Sequence, residues 1–202
     1  MQTMNDLLAG AGVTLTSAHP RQSEGHANPE EWTLRQFCRA HCLDRLDLFD
    51  FASFDRWWVP DHYQNPLWDM LSLCDIEGET GLLIVEAKAH TSEIKDDGKP
   101  LGGDATQQTK LNHRQIGQCI AQAAHDLAKQ FDGIGISRDT HYQLSNRVAH
   151  AWKLAECRMD VCLLYLGFTG DAGIADPLVG DDHWRQVVQE HIIGVLPRSP
   201  PT

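Results

Sequence analysis

No apolar run in the 202 residues approaches the roughly 20 that a bilayer-spanning helix needs. The first residues lack a basic stretch leading into an apolar one, so no secretory signal is expected and the cytoplasm is the expected location. Basic charge is scarce: 17 Lys and Arg stand against 28 Asp and Glu, for a net charge of −11. Affinity for phosphate backbones comes largely from Lys and Arg, so this balance excludes a general nucleic-acid coat. The glycine patterns of phosphate loops and dinucleotide folds are missing, and so is the Gly-x-Ser-x-Gly of α/β-hydrolases. No internal repeat is present.

Cysteine is neither rare nor patterned. Five of the six (Cys38, Cys74, Cys119, Cys157 and Cys162) fall inside apolar stretches, and Cys42 follows closely on Cys38. In a reducing compartment they read as buried free thiols rather than disulfides. Cys38, His41 and Cys42 share one helix face, but no second pair has matching spacing, so zinc is not expected.

The charge is unevenly spread. Residues 1–87 carry 14 acidic and 5 basic side chains, whereas 88–158 carry 8 acidic and 10 basic. Any polyanion would therefore meet the second half.

Residues 1–27 read as a flexible lead-in, 28–196 as one α/β domain, and 197–202 as a tail. Asn28-Pro29-Glu30-Glu31 predicts a helix start, with the helix continuing to about His41. The aromatic-rich segment 44–63 fits a short helix, and Arg56 to Tyr63 fits equally a first strand. Leu67 to Ile76 and Gly81 to His90 predict a β-hairpin around a Gly-bounded turn. Residues 91–106 read as a mobile loop, a candidate lid over substrate. A helix follows from Gln107 to about Phe131, with Leu111, Ile116, Ile120, Ala124 and Leu127 inward. Another spans about Thr140 to Arg158. Asp160 to Phe168 predicts a buried parallel strand, and Asp181 or Asp182 caps a last helix.

Side chains alternate along a strand, so Glu86, Lys88 and His90 share a face. Burying a carboxylate and an ammonium on an apolar strand is costly unless they are compensated. On the opposing strand, Asp69 and Asp75 both have the parity to join Glu86. A tight turn over Gly78-Glu79-Thr80-Gly81 would set Asp69 opposite His90 and bring Asp75 nearer Glu86. Converging carboxylates repel unless a cation or proton sits between them, and hard oxygen donors suit Mg²⁺ or Mn²⁺.

Pro66-Leu67-Trp68-Asp69, the apolar strand after it, and Ile84-Val85-Glu86-Ala87-Lys88 resemble the PD-(D/E)XK nuclease superfamily. The literal Pro-Asp pair is interrupted here by Leu67 and Trp68. The resemblance implies a restriction-endonuclease-like αβββαβ core, a mixed sheet flanked by helices, with an extra helix before the last core strand. It implies Asp69 and Glu86 as ligands of Mg²⁺ or Mn²⁺, with Lys88 as the third catalytic residue, assisting the attacking water. Accessory candidates are Glu31, Asp75, His90, Glu93, Gln115 and Gln118, and Lys110, His113 and Arg114 are candidate phosphate contacts. The expected activity is hydrolysis of phosphodiester bonds in DNA; the alternative is an inactive nuclease-fold scaffold that binds or assembles. DNA is the expected partner, with a second protein as a candidate source of basic surface and a homodimer as a candidate assembly. Asn146 and Arg147 lie mid-helix, where Arg147 reads as a structural salt bridge, with pairing to the acidic sheet end as the alternative.

Overall fold

Two positive-φ residues shape the centre of this fold. In a computed structural model, which describes residues 3–22, 30–45, 49–59, 65–94 and 97–197, strands β5 (Met70–Ile76) and β6 (Glu79–Lys88) form an antiparallel hairpin. Glu77 and Gly78 connect them at φ 53° and 94°. Two consecutive left-handed residues make the tight turn whose twist matches that of the flanking strands. Asp75 Oδ1 accepts the Gly78 N–H at 2.9 Å, and Gly12 O accepts the Glu77 N–H at 3.2 Å.

The sheet mixes antiparallel and parallel strands. Its order is β1 (Val13–Thr14), β5, β6, β7 (Asp160–Gly167), with β2 (Arg21–Gln22) also pairing with β5. Phe168 N–H donates to Lys88 O at 2.7 Å, so the ends of β6 and β7 meet. A Cβ on Gly81 would lie 3.1 Å from Asp160 O, so their beginnings meet too. Those two strands therefore run parallel. β6 is buried from Gly81 to Glu86. Burial of Leu82, Leu83 and Ile84 contributes about 1.5–3 kcal/mol each to stability.

The first of two compact units comprises Met1–Glu86 with Lys153–Tyr165. The expected lead-in supplies structure here. Helix α1 (Met4–Leu8) carries a Thr3–Asp6 capping box, and the Asn5 amide brackets the backbone N–H and C=O of Leu15. β1 and β2 extend the hairpin, with Val13 opposite Ile76 and Arg21 opposite Ser72. Strand β3 (Trp32–Thr33) pairs with β4 (Leu67–Trp68) in a separate two-stranded sheet.

Helix α2 spans Leu34–Ala40, starting six residues later than Asn28. Thr33 and Gln36 form its capping box, which satisfies the first orphan N–H groups. Asn28 and Pro29 lie outside the described residues. The aromatic segment yields helix α3 (Phe51–Trp57), so Arg56 and Trp57 belong to a helix and not to a first strand; 60–64 lie outside the described residues. The expected strand Leu67 to Ile76 divides at Asp69, which occupies a bend between β4 and β5.

The second unit comprises Ala87–Trp152 with Leu166–Thr202. It holds α4 (Gln107–Leu127), most of α5 (Tyr142–Glu156), and α6 (Asp181–Ile192). The buried stripe of α4 is Asn112, Ile116, Cys119, Ile120 and Ala123, whereas Leu111 is exposed. Gly180, not an aspartate, occupies the N-cap of α6, and Asp181 and Asp182 sit in its first turn, where the helix dipole favours them. β7 is half-buried along most of its length rather than enclosed.

All six cysteines are free thiols. Cys38, Cys74, Cys119 and Cys157 are buried, Cys162 is half-buried and Cys42 is exposed. Burial, helped by Cys162 and Asp75, pushes the Cys74 thiol up to about 12. Native alkylation with iodoacetamide followed by peptide mass spectrometry should therefore modify Cys42 first and leave Cys74 untouched until denaturant is added. Early labelling of Cys74 would contradict this packing.

Candidate functional site

The hairpin register decides which aspartate faces Glu86. Its pairs run from Ile76 opposite Glu79 to Met70 opposite Val85. The last pair, Met70 with Val85, leaves Glu86 as the next residue of β6 and Asp69 as the bend residue immediately before β5. The sequence-based turn sits two residues too far along the chain; the true turn is Glu77-Gly78. Asp75 consequently pairs with Thr80 and holds the turn through Gly78 N–H, far from Glu86.

Lys88 follows Glu86 by two residues on β6 and shares its face by alternation. Glu86 is 2% exposed and Lys88 5%, while Asp69 is half-buried. Neither buried residue is left without an interaction partner. Such burial is sustained only where opposite charge or hydrogen bonds compensate the lost hydration.

The end of β6 is clamped by backbone. Phe168 N–H reaches Lys88 O, Leu178 N–H reaches Ala89 O at 3.1 Å, and His90 bridges to Pro177. The Glu93 carboxylate turns back to accept the N–H groups of Ala89 at 2.7 Å and His90 at 3.3 Å. Burial alone would raise the Glu93 carboxyl. The two N–H bonds, with His90 and Lys88 nearby, hold it below the usual carboxylate range. His90 is engaged with Ser92 Oγ at 2.6 Å and lies 3.6 Å from Glu93. These two accessory candidates thus brace the end of the motif strand.

The other candidates scatter. Glu31 is exposed and precedes β3 and α2, so it is not a helical residue. Gln115 is half-buried and turns along its own helix to Cys119 Sγ at 3.6 Å. Gln118 is exposed and lines a groove of about 360 Å³ with Arg114 and Arg138. Lys110 is exposed.

His113 is a brace. Its Nε2 lies 2.8 Å from Lys99 O and its Nδ1 3.2 Å from Arg138 Nη1. The guanidinium is an obligate donor, so Nδ1 accepts and Nε2–H donates. Arg138 crosses α4 at Gly117, where a Cβ would come within 2.8 Å of it. Lys99 N–H donates to Arg138 O, Tyr142 N–H to Asp97 O, and Asp97 bridges to Thr140. The expected lid is therefore tied down over 97–99.

As for a metal, the carboxylates of Asp69 and Glu86, next in line beyond the last hairpin pair, are hard oxygen donors. Mg²⁺ commonly takes one or two carboxylates and completes its shell with water and substrate phosphate. Among the described residues, no group of three or more His, Cys, Asp or Glu forms a metal cage.

On α5 the sequence reading reached Asn146 and Arg147 but missed His150 and Lys153, which continue the same polar row. Asn146, Arg147, His150 and Lys153 are all buried. Their spacings of three and four are the only signal, and it resembles that of a solvated face. His150 Nδ1 donates to Asn146 O at 2.9 Å, and burial, with Arg147 nearby, pushes the imidazole down to about 3.

Comparison with protein-family models, curated proteins and solved structures finds no match to this chain.

Because His150 is neutral when folded and protonates readily when unfolded, the unfolded chain binds the extra proton between about pH 3 and 6.5. Stability from this group is present above pH 6.5 and falls as pH drops through that window, with a slope of up to about 1.4 kcal/mol per pH unit. Urea melts at stepped pH should show this slope in wild type and a shallower one in His150→Gln. Equal slopes would exclude His150 as the source.

Proposed function

We propose that this chain is a divalent-metal-dependent nuclease that hydrolyses phosphodiester bonds in DNA, built on a restriction-endonuclease-like core. The observation that supports this reading is the hairpin register: beyond its last pair, Met70 with Val85, Asp69 and Glu86 are the next residue on each side, and Lys88 follows Glu86 on the same face. In this reading α2, β5, β6, α4 and β7 are core elements and α5 is the extra helix before the last strand; among the described residues no strand of the main sheet lies between α2 and β5, where the αβββαβ order has its first strand.

Asp69 and Glu86 would hold Mg²⁺ or Mn²⁺ through carboxylate oxygens. Such an ion, when bound, neutralises phosphate oxygens and makes water a better nucleophile. Lys88 contributes a fixed ammonium that orients the attacking water or offsets negative charge developing at phosphorus. Its position is set by a strand paired on both sides and clamped at its end, which suits a group that must not reorganise during reaction. DNA would approach with help from a basic partner or a second copy of the chain, since the acidic balance supplies little long-range attraction. The proposed location is the cytoplasm.

A second reading, an inactive nuclease-fold scaffold, is favoured by one observation: Glu86 and Lys88 are almost completely shielded from solvent. A static pair on a central strand would look the same.

Calorimetric titration of Mg²⁺ and Mn²⁺ into wild type and Glu86→Ala, with and without DNA, separates the two. The nuclease reading expects uptake by wild type that is lost in the variant. It also expects cleavage of linear, circular or branched DNA that falls at least about 100-fold in Lys88→Met. Wild-type protein that takes up no metal even with DNA present is the scaffold.

A further inference from the structure

A second site lies in the first unit, on the opposite side of the sheet. A cavity of about 770 Å³ is lined by Ser17, His19, Arg21, His41 and Met70, among others. That volume falls in the range of small-molecule sites, about 300–1,000 Å³. Arg21 pairs with Ser72, and Ser72 shares a face with Met70; alternation puts Asp69 and Glu86 on the other face. The cavity is thus separate from the carboxylate pair.

Its polar groups are set in place by one peptide. Thr16 N–H donates to His19 Nδ1 at 3.2 Å, and Arg21 Nη2 donates to Thr16 O at 3.0 Å. The first bond makes Nδ1 the acceptor and leaves the ring proton on Nε2 as a donor. The second holds one arm of the guanidinium and leaves its other N–H groups available. His19 N–H also donates to Thr16 O, closing the turn. Two donors are therefore preorganised before any ligand arrives, which lowers the entropy lost on binding.

Arg21 differs from the paired arginines among the described residues. Arg35 and Arg39 pair with Asp55, Arg138 with Asp139, and Arg185 with Asp182. Arg21 has no carboxylate partner among the described residues. It is also the only Lys or Arg before Arg35 in a chain of net charge −11. Across the cavity, His41 packs against Phe37 at 4.5 Å and Trp32 at 6.5 Å between ring centroids. His41 Nε2 is buried without a hydrogen-bond partner among the described residues, an arrangement that costs free energy until a ligand group meets it. Burial holds the His41 imidazole below its ordinary pKa, so it offers a neutral polar edge rather than a second charge.

We propose that this cavity binds the phosphate group of a small phosphorylated ligand, with the Arg21 guanidinium and the His19 Nε2–H as its donors. Arg is suited to this because its planar fork matches two phosphate oxygens at once. The room around Arg21 accommodates more than phosphate alone, and the Trp32–His41 stack offers an aromatic flank. The proposal does not depend on nuclease activity.

The test is calorimetry on the full chain, without divalent metal, using inorganic phosphate, deoxyadenosine 5′-monophosphate, deoxyadenosine, and a 5′-phosphorylated dinucleotide as separate probes. Wild type should bind at least one phosphate-bearing probe and not deoxyadenosine. Arg21→Gln and His19→Gln should each weaken that binding by about tenfold or more, and Arg21→Lys should weaken it less. Tighter binding of the mononucleotide than of phosphate identifies a free nucleotide as the source; tighter binding of the dinucleotide identifies a strand end. Should Arg21→Gln fail to fold by thermal melting, His19→Gln carries the decision. Absence of binding to every phosphate probe, or unchanged affinity in the folded variants, overturns the proposal. Metal uptake by Asp69 and Glu86 should be the same in these variants, which keeps the two sites distinguishable.

Discussion

The two-residue turn at Glu77-Gly78 is the constraint on which the rest of the hairpin depends. Side chains alternate with a period of two, so moving the turn by one residue would flip one strand's set to the other face. Moving it by two preserves parity but changes partners. The observed register leaves Asp75 at the turn and ends at Met70 opposite Val85, one residue from Asp69 and from Glu86. The left-handed conformation of Glu77 costs roughly 1–2 kcal/mol, offset by the Asp75 and Gly12 bonds that close the turn. A local conformational cost at one end of the hairpin thus sets the strand partners along its whole length.

The opposite end of β6 is held by different means. Backbone groups of Phe168 and Leu178 pair with Lys88 and Ala89, and the Glu93 carboxylate folds back on the strand's last N–H groups. The consequence is a strand whose reactive positions are determined by backbone hydrogen bonds and not by side-chain packing alone. Positions held this way return to the same geometry after each fluctuation, as a catalytic or a structural ion pair requires.

Charge in this protein is managed locally. With acids outnumbering bases, Arg35, Arg39, Arg138 and Arg185 each sit beside an aspartate. Arg138 serves as a brace across α4, made possible by Gly117, and Arg21 stands apart at a cavity wall. The contrast matters more than the net charge, because recognition of an anion depends on one uncompensated, oriented donor set.

The sequence by itself determined the elements: the hairpin, the placement of Glu86 and Lys88 on one strand face, the helix from Gln107, the helix before Asp160, and the strand after it. Those follow from periodicity and turn residues, which act over a few positions. It did not determine the register, since Gly78 and Gly81 both offer a turn and only β1 packing on β5 through Gly12 and Val13 distinguishes them. Nor did it show that residues 3–22 join the sheet, because two-residue strands carry no periodicity and form only where an edge already exists. The burial of His150, Asn146, Arg147 and Lys153 was likewise decided by tertiary packing, because polar residues spaced along a helix read the same in water and in a core. Pairing of distant segments is a property of the folded chain, and Met70 meets Val85 only there.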